Sequence, residues 1–255
     1  MDWLQSDWGC TLVRAAMGVD HGGYLQNPEA ETRKVRAVVD AAIERGLYVI
    51  IDWHDHEAHL HLPEAQKFFG EMASSYANCS NVIYETFNEP LQDASWAEQI
   101  KPYHEAVIGT IRAQDPNGLI VCGTRAWSQR VDEAADDPLP FSNVAYTLHF
   151  YSVTHKKWLR DIAQAALDKG VALMVTEFGT TEASGDGPID AEESRAWFDF
   201  LDAHAISWCN WSVTYKNETS AALRPGASAV GGWSDEQISP SGLLVRAELR
   251  AKKPN

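Results

Sequence analysis

Short apolar runs alternate along this chain with longer stretches whose apolar residues recur at helical spacing. The runs are Leu12 to Ala16, Tyr48 to Trp53, Val82 to Phe87, Leu119 to Cys122, Val144 to Phe150, Ala172 to Phe178 and Ser207 to Trp211. Each has the length of a buried strand and is rich in Val, Ile, Leu or aromatic residues. Between them, Pro28 to Glu44 predicts a helix with Val35, Val38, Val39 and Ala42 on one face, ended by Arg45-Gly46. Trp96 to Arg112 and Ala191 to Ala203 predict two more. Asp190 is the expected N-cap of the latter, with Glu193 at the spacing of a capping box.

Repeated strand–helix units imply a parallel sheet. No glycine-rich dinucleotide loop follows any strand, so a closed barrel is favoured over an open nucleotide-binding sheet. Seven strands are legible where a barrel of this class has eight, and Trp3 to Gly9, ahead of the first run, reads as helical or turn-like. The expected fold is a (β/α)8 TIM barrel lacking its first N-terminal strand, built as a single catalytic domain over residues 1–255. The longest irregular stretch, Asn217 to Pro240, would be the loop after the last strand, on the catalytic face.

Composition narrows the function classes. The net charge of −15 argues against nucleic acid and anionic membranes as partners. No apolar run approaches the ~20 residues needed to span a bilayer. Met1-Asp2-Trp3-Leu4 has neither the basic nor the apolar region of a signal peptide. Cys10, Cys79, Cys122 and Cys209 are widely spaced with no CxxC pair, which predicts reduced thiols rather than a zinc site.

The informative polar residues fall at the C-terminal ends of the apolar runs: Arg14, His54, Asn88-Glu89, His149, Tyr151, Glu177 and Trp211. In a barrel these ends converge on one mouth. Either glutamate alone reads as well as a strand-end residue in an ion pair. Together, two carboxylates facing one mouth suit glycoside cleavage, in which one protonates the leaving oxygen and the other attacks the anomeric carbon, the pair lying ~5–5.5 Å apart in a retaining enzyme. The charge of Glu177 would help keep Glu89 protonated. His54, His56, His59 and His61 lie among Asp52, Asp55 and Glu57 in a pattern that suggests a metal. Metal-dependent barrel hydrolases need further ligands from later strands, and here only His149 fits, so no catalytic metal and no cofactor is expected. His59 and His61 read as a solvated loop, His56 as support for the site, and Trp53 as packing.

The ordered set Leu12-Val13-Arg14-Ala15-Ala16-Met17, Ile51-Asp52-Trp53-His54, Tyr84-Glu85-Thr86-Phe87-Asn88-Glu89-Pro90, Leu148-His149-Phe150-Tyr151, Thr176-Glu177-Phe178-Gly179 and Asn210-Trp211-Ser212 resembles the signature blocks of glycoside hydrolase family 5. Gly123-Thr124-Arg125-Ala126-Trp127-Ser128-Gln129, Lys216 to Leu223 and Gly231-Gly232-Trp233 are similar to its bacterial endo-β-1,4-glucanase branch. The resemblance implies a retaining endoglucanase with Glu89 as acid/base and Glu177 as nucleophile. It implies that Asn88 bonds the sugar 2-OH, that Arg14 holds Glu177 ionised, and that Tyr151 lies close to Glu177 and His149 close to the acid/base. His54 would line the subsite at the cleavage point, Trp211 would stack under a glucose ring, Lys216 would bind hydroxyls, and Trp127 would serve a leaving-group subsite. The implied substrates are cellulose, carboxymethylcellulose and cello-oligosaccharides. Mannan, xylan and mixed-linkage glucan remain open as alternatives, as does a truncated barrel that binds glucan without hydrolysis.

Two departures stand out. Relatives place a strand ahead of Trp3 to Gly9, so a longer parent chain, or a second copy through strand exchange in a homo-oligomer, would complete the barrel. Gly18 follows Met17 where relatives often carry Tyr, which removes one distal sugar contact. An insoluble polymer is met outside the cell, so a secreted protein is expected.

Overall fold

The computed structural model describes residues 1–252. Seven strands follow one another in chain order through one sheet. They are β1 (Leu12–Gly18), β2 (Tyr48–His54), β3 (Val82–Glu85), β4 (Leu119–Cys122), β5 (Val144–Tyr151), β6 (Leu173–Gly179) and β7 (Trp208–Asn210). The helices are α1 (Pro28–Glu44), α2 (Leu62–Tyr76), α3 (Lys101–Arg112), the single turn α4 (Arg125–Ser128), α5 (Val131–Asp136), α6 (Lys157–Asp168), α7 (Ala191–Ala203) and α8 (Pro240–Ala251). Leu4–Trp8 forms one π-helical turn, in the stretch expected to be helical or turn-like. Every expected strand is present, with no end moved by more than two residues.

Two boundaries differ for identifiable reasons. The helix expected from Trp96 begins as a π turn (Trp96–Ile100) and becomes regular only at Lys101. Pro102 has no N–H to give to the preceding turn, and Ser95 caps the start by accepting the Glu98 N–H at 3.2 Å. At α7, Asp190 accepts the Glu193 N–H at 3.0 Å, but the box is not reciprocal. The Asp190 N–H is already given to the Thr180 carbonyl, and the Glu193 carboxylate pairs instead with Arg160.

The described residues group into two compact units, each drawn from several stretches of chain. The larger comprises residues 13–148 and 162–174. In it β2, β3, β4 and β5 pair in parallel, with Ile50 opposite Ile83, Tyr84 opposite Ile120 and Val121 opposite Ala145. From Val49 to Trp53 every residue of β2 is fully buried, Asp52 included. Trp53 packs against Tyr24 (ring centroids 5.1 Å), Phe68 (5.6 Å) and Phe69 (6.3 Å), the packing role expected of it.

The smaller unit comprises residues 1–12, 149–161 and 175–252. In it β6 and β7 pair in parallel. Phe150 lies between Phe178 (5.1 Å) and Trp197 (3.9 Å), both nearly parallel to it, and the Trp197 indole donates to the His155 carbonyl at 2.7 Å. This stack joins β5, β6 and α7 behind the strand ends that carry Tyr151 and Glu177. Trp233 meets Trp8 edge to face at 6.0 Å, again a packing role.

Trp197 is fully buried, so we expect Trp197→Ala to destabilise the protein by about 3–5 kcal/mol, through lost burial and the cavity left behind. Urea unfolding followed by fluorescence measures this. A change below about 1 kcal/mol would mean that the stack does not hold these elements together.

Candidate active site

In the larger unit the site is organised by Arg14, projecting from β1 with a side chain only 5% exposed. Its Nε donates to Glu85 Oε2 at 2.7 Å. Its Nη2 donates to Asn88 Oδ1 at 2.7 Å and lies 2.9 Å from Asp52 Oδ2. Asp52 and Glu85 are fully buried, so this guanidinium supplies the opposite charge that makes their ionisation tolerable. His54 Nδ1 lies 2.8 Å from the same Asp52 oxygen, which fixes the ring.

Asn88 and Glu89 follow β3. The Asn88 N–H donates to the Trp53 carbonyl at 3.2 Å and the Glu89 N–H to the Asp55 carbonyl at 3.3 Å, so the end of β2 holds their backbone. The Glu89 side chain keeps 14% exposure, and His56 Nδ1 lies 3.8 Å from its Oε2. Burial raises the Glu89 pKa above the usual carboxylate value; His56, His54 and Arg14 pull it down, and the charge on Asp52 pushes it up. Burial is thus the leading cause, and a neighbouring carboxylate, Asp52, adds to it.

The backbone of α4 lies along the segment after Glu89. Ala126, Trp127 and Ser128 have φ of 56°, 57° and 58°. Non-glycine residues in this left-handed region cost about 1–3 kcal/mol each and persist only where their surroundings hold them. Trp127 N–H donates to the Pro90 carbonyl at 2.9 Å, and Ser128 Oγ donates to the Asn88 carbonyl at 2.7 Å. The turn presents the Trp127 ring 40% exposed.

In the smaller unit Glu177, on β6, is 5% exposed. It accepts a hydrogen bond on Oε1 from the Tyr151 hydroxyl at 2.8 Å. Tyr151 can approach because the residue opposite its ring is Gly179, where a Cβ would lie 2.3 Å from a ring carbon. The Tyr151 N–H donates to His155 Nδ1 at 2.8 Å, and burial together with His149 pushes the His155 pKa down to about 4, so it is neutral and able to accept. His149 Nε2 lies 2.8 Å from Thr176 Oγ1. Trp211 follows β7; its N–H donates to the Phe178 carbonyl at 2.8 Å, and Lys216 Nζ sits 5.9 Å from the centre of its ring. Lys216 also pairs with Glu218 at 2.5 Å.

Arg14, His54, Asn88 and Glu89 therefore share one cluster, Tyr151, His149 and Glu177 lie along β5 and β6, and Trp211 and Lys216 form a pair. Two members were missed from sequence: Asp52 and Glu85. Their signal was a carboxylate inside a strand buried on both faces, Ile50-Ile51-Asp52-Trp53 and Ile83-Tyr84-Glu85-Thr86. The histidine loop also differs from expectation. His59 stacks on Phe87 at 6.2 Å and His61 pairs with Asp55 at 2.7 Å, so neither is a free solvated ring. Asp20, Asp55 and His61 offer three possible ligand atoms within 4.8 Å of one another, but Asp55 is already engaged by His61, the Trp53 indole and the Glu57 N–H. The four thiols are free; Cys122 and Cys209 are buried as expected, and Cys10 and Cys79 are partly exposed.

The sequence matches the pattern of the family described as Cellulase (glycosyl hydrolase family 5) over residues 1–217. It is 48% identical over 252 residues to Endoglucanase A of Evansella cellulosilytica, covering 97% of this chain and 51% of that protein. The chain spans about half the length of curated relatives that it matches. Among solved structures, one from Cytophaga hutchinsonii superposes with a TM-score of 0.98 at 56% identity, covering 99% of this chain and 82% of that one. The catalytic domain of Thermobifida fusca endoglucanase Cel5A, solved as a variant in complex with cellotetraose, gives 0.93 at 36% identity, covering 98% and 84%. The fold is accordingly of the (β/α)8 class.

Two outcomes follow from the charges. Arg14→Met would strand Asp52 and Glu85 in the interior and should cost about 3–5 kcal/mol in denaturant unfolding; an unchanged midpoint would disprove the pairing role. The raised pKa of Glu89 means that the folded state resists its ionisation. Its contribution is therefore full below the ordinary value of 4.5 and declines as pH rises through the higher folded value. We expect Glu89→Gln to unfold at a higher temperature than the parent at neutral pH, with the difference vanishing below about pH 4. A difference independent of pH would contradict this.

Proposed function

This chain belongs to glycosyl hydrolase family 5, and from that premise we propose that it is the catalytic domain of a retaining endo-β-1,4-glucanase. The observation that carries the reading is the contrast between two strand-end glutamates. Glu89 sits where burial favours its protonated form, as a general acid requires. Glu177 accepts a hydrogen bond from Tyr151, a contact suited to a carboxylate that must be oriented for attack.

In the first step Glu177 attacks the anomeric carbon while Glu89 gives its proton to the departing glycosidic oxygen. The leaving sugar is replaced by water. Glu89, now ionised, takes a proton from that water as it displaces Glu177, and the anomeric configuration is retained. Asn88, its amide oxygen held by Arg14, keeps its NH2 group for the sugar 2-OH. His54 is oriented by Asp52 to line the cleavage subsite. Trp211 offers an apolar ring to a pyranose face, with Lys216 beside it for hydroxyls. Trp127 serves the leaving-group side. The family's description as cellulase and the cellotetraose bound by the Thermobifida fusca relative support β-1,4-glucan as substrate: cellulose, carboxymethylcellulose and cello-oligosaccharides. Such a polymer is met outside the cell, which supports secretion of the protein that carries this domain.

The test is release of reducing ends from carboxymethylcellulose, with proton NMR of the first anomer formed from cellopentaose. We expect β-configured product from the parent, and activity lowered by about 10²-fold or more in both Glu89→Gln and Glu177→Gln. Parent-like turnover in either variant, or α-configured first product, would sink the assignment. Faster hydrolysis of mannan or xylan would move the substrate within the same chemistry.

A further inference from the structure

The segment that carries Glu89 is fastened along its length to α4. Asn88 O accepts from Ser128 Oγ (2.7 Å), Pro90 O from Trp127 N (2.9 Å), Leu91 O from Ala126 N (3.5 Å) and Gln92 O from Arg125 Nη1 (2.8 Å). The two strands of this clasp run in opposite directions, 88 to 92 against 128 to 125. The left-handed backbone of Ala126 and Trp127 is what turns their N–H groups toward these carbonyls. The rest of the clasp is anchored in turn. Arg125 is held by both oxygens of Glu133. Gly123 passes so close to the Phe87 carbonyl that a Cβ there would lie 2.1 Å from the oxygen. Buried His104 donates from Nε2 to the Gly123 carbonyl (2.9 Å) and accepts on Nδ1 from Thr86 Oγ1 (2.8 Å), which ties the two backbones together beneath the site.

We propose that Ser128 is a positioning residue for the acid/base: its buried hydroxyl locks the left-handed turn to the Asn88 carbonyl and so sets the reach of the Glu89 carboxyl. Ser128 is fully buried, and its Oγ also accepts the Thr124 N–H at 3.2 Å, so this one hydroxyl closes the turn and fastens it to the residue before Glu89. Asn88 is then held from two sides, its side chain by Arg14 and its carbonyl by Ser128. Proton transfer works only within hydrogen-bond reach of the leaving oxygen, and a displacement of about 1 Å can cost on the order of 10²-fold. The proposal rests on the reading of Glu89 as the acid.

The experiment compares kcat/KM across aryl β-cellobiosides of graded leaving-group pKa, for the parent, Ser128→Gly and Glu89→Gln. Glycine keeps the left-handed backbone and removes only the hydroxyl. A 2,4-dinitrophenolate departs without protonation, whereas a phenolate needs the acid. We expect Ser128→Gly to lose roughly tenfold on the phenyl glycoside, part of the 10²–10⁴ that general acid catalysis supplies, and less than about twofold on the dinitrophenyl one. Equal loss on both substrates would show a merely structural role, and no loss on either would also overturn the proposal. If Glu89→Gln shows leaving-group-dependent loss and Ser128→Gly does not, only the positioning role fails. If Glu89→Gln itself lacks that dependence, the acid assignment fails first. Should Ser128→Gly not fold, Ser128→Cys, with its weak S–H donor in a side chain of similar size, carries the same comparison and should fall between parent and glycine in slope.

Discussion

A guanidinium placed among fully buried carboxylates imposes a condition that the surrounding strands must satisfy together. Arg14 leaves β1 and has to meet an oxygen of Asp52 in β2, an oxygen of Glu85 in β3 and the amide oxygen of Asn88 just beyond β3. A shift of one residue in any of these strands would turn its polar side chain to the opposite face and leave a charge unmatched in the interior. The pairing of β2 with β3 places Asp52 opposite Glu85, so the two carboxylates arrive at the same level, where a single cation can bridge them. Arg14 therefore sets the alignment of the strand ends on which the acid segment is built, and through Asp52 it also fixes His54.

The two glutamates are supported by different means. Glu89 is held mainly through its backbone, and its electrostatic character comes from burial. Glu177 is held through its side chain by a phenol whose own backbone is gripped by a neutral histidine. Both arrangements need a glycine where another chain element comes close: Gly123 beneath the Phe87 carbonyl and Gly179 beneath the Tyr151 ring. In each case the missing Cβ lets a functional group sit nearer the sheet than an ordinary side chain would permit.

The strands were legible because most are buried on both faces and read as largely apolar runs, while α1 and α7 announced themselves by helical spacing and by residues at their ends. Glu89, Glu177 and their neighbours were legible because a charged side chain at the end of a buried run is costly unless a site makes use of it. Asp52 and Glu85 escaped notice because they lie inside the runs, where the apolar flanks dominate the pattern and only an unmatched charge hints at Arg14. The route of the chain through Ala126 and Trp127 was also hidden: neither residue type favours positive φ, so no local preference signals it. That conformation is imposed by carbonyls more than thirty residues away in the sequence. The one-sided cap at Asp190 depends likewise on partners that a local motif does not contain, Thr180 and Arg160.

The three left-handed residues also bear on how this protein can change over evolutionary time. Elsewhere on a chain, glycine or asparagine at such a position relieves strain and is an easy step for random drift to take. Here a glycine at Ala126 would relieve the strain and still give its N–H to the Leu91 carbonyl, because that bond is made by backbone alone. Ser128 is the one position of the three where that exchange is not free, because there the side chain itself makes the bond to the Asn88 carbonyl: the turn can change at two of its residues and is fixed in chemistry at the third.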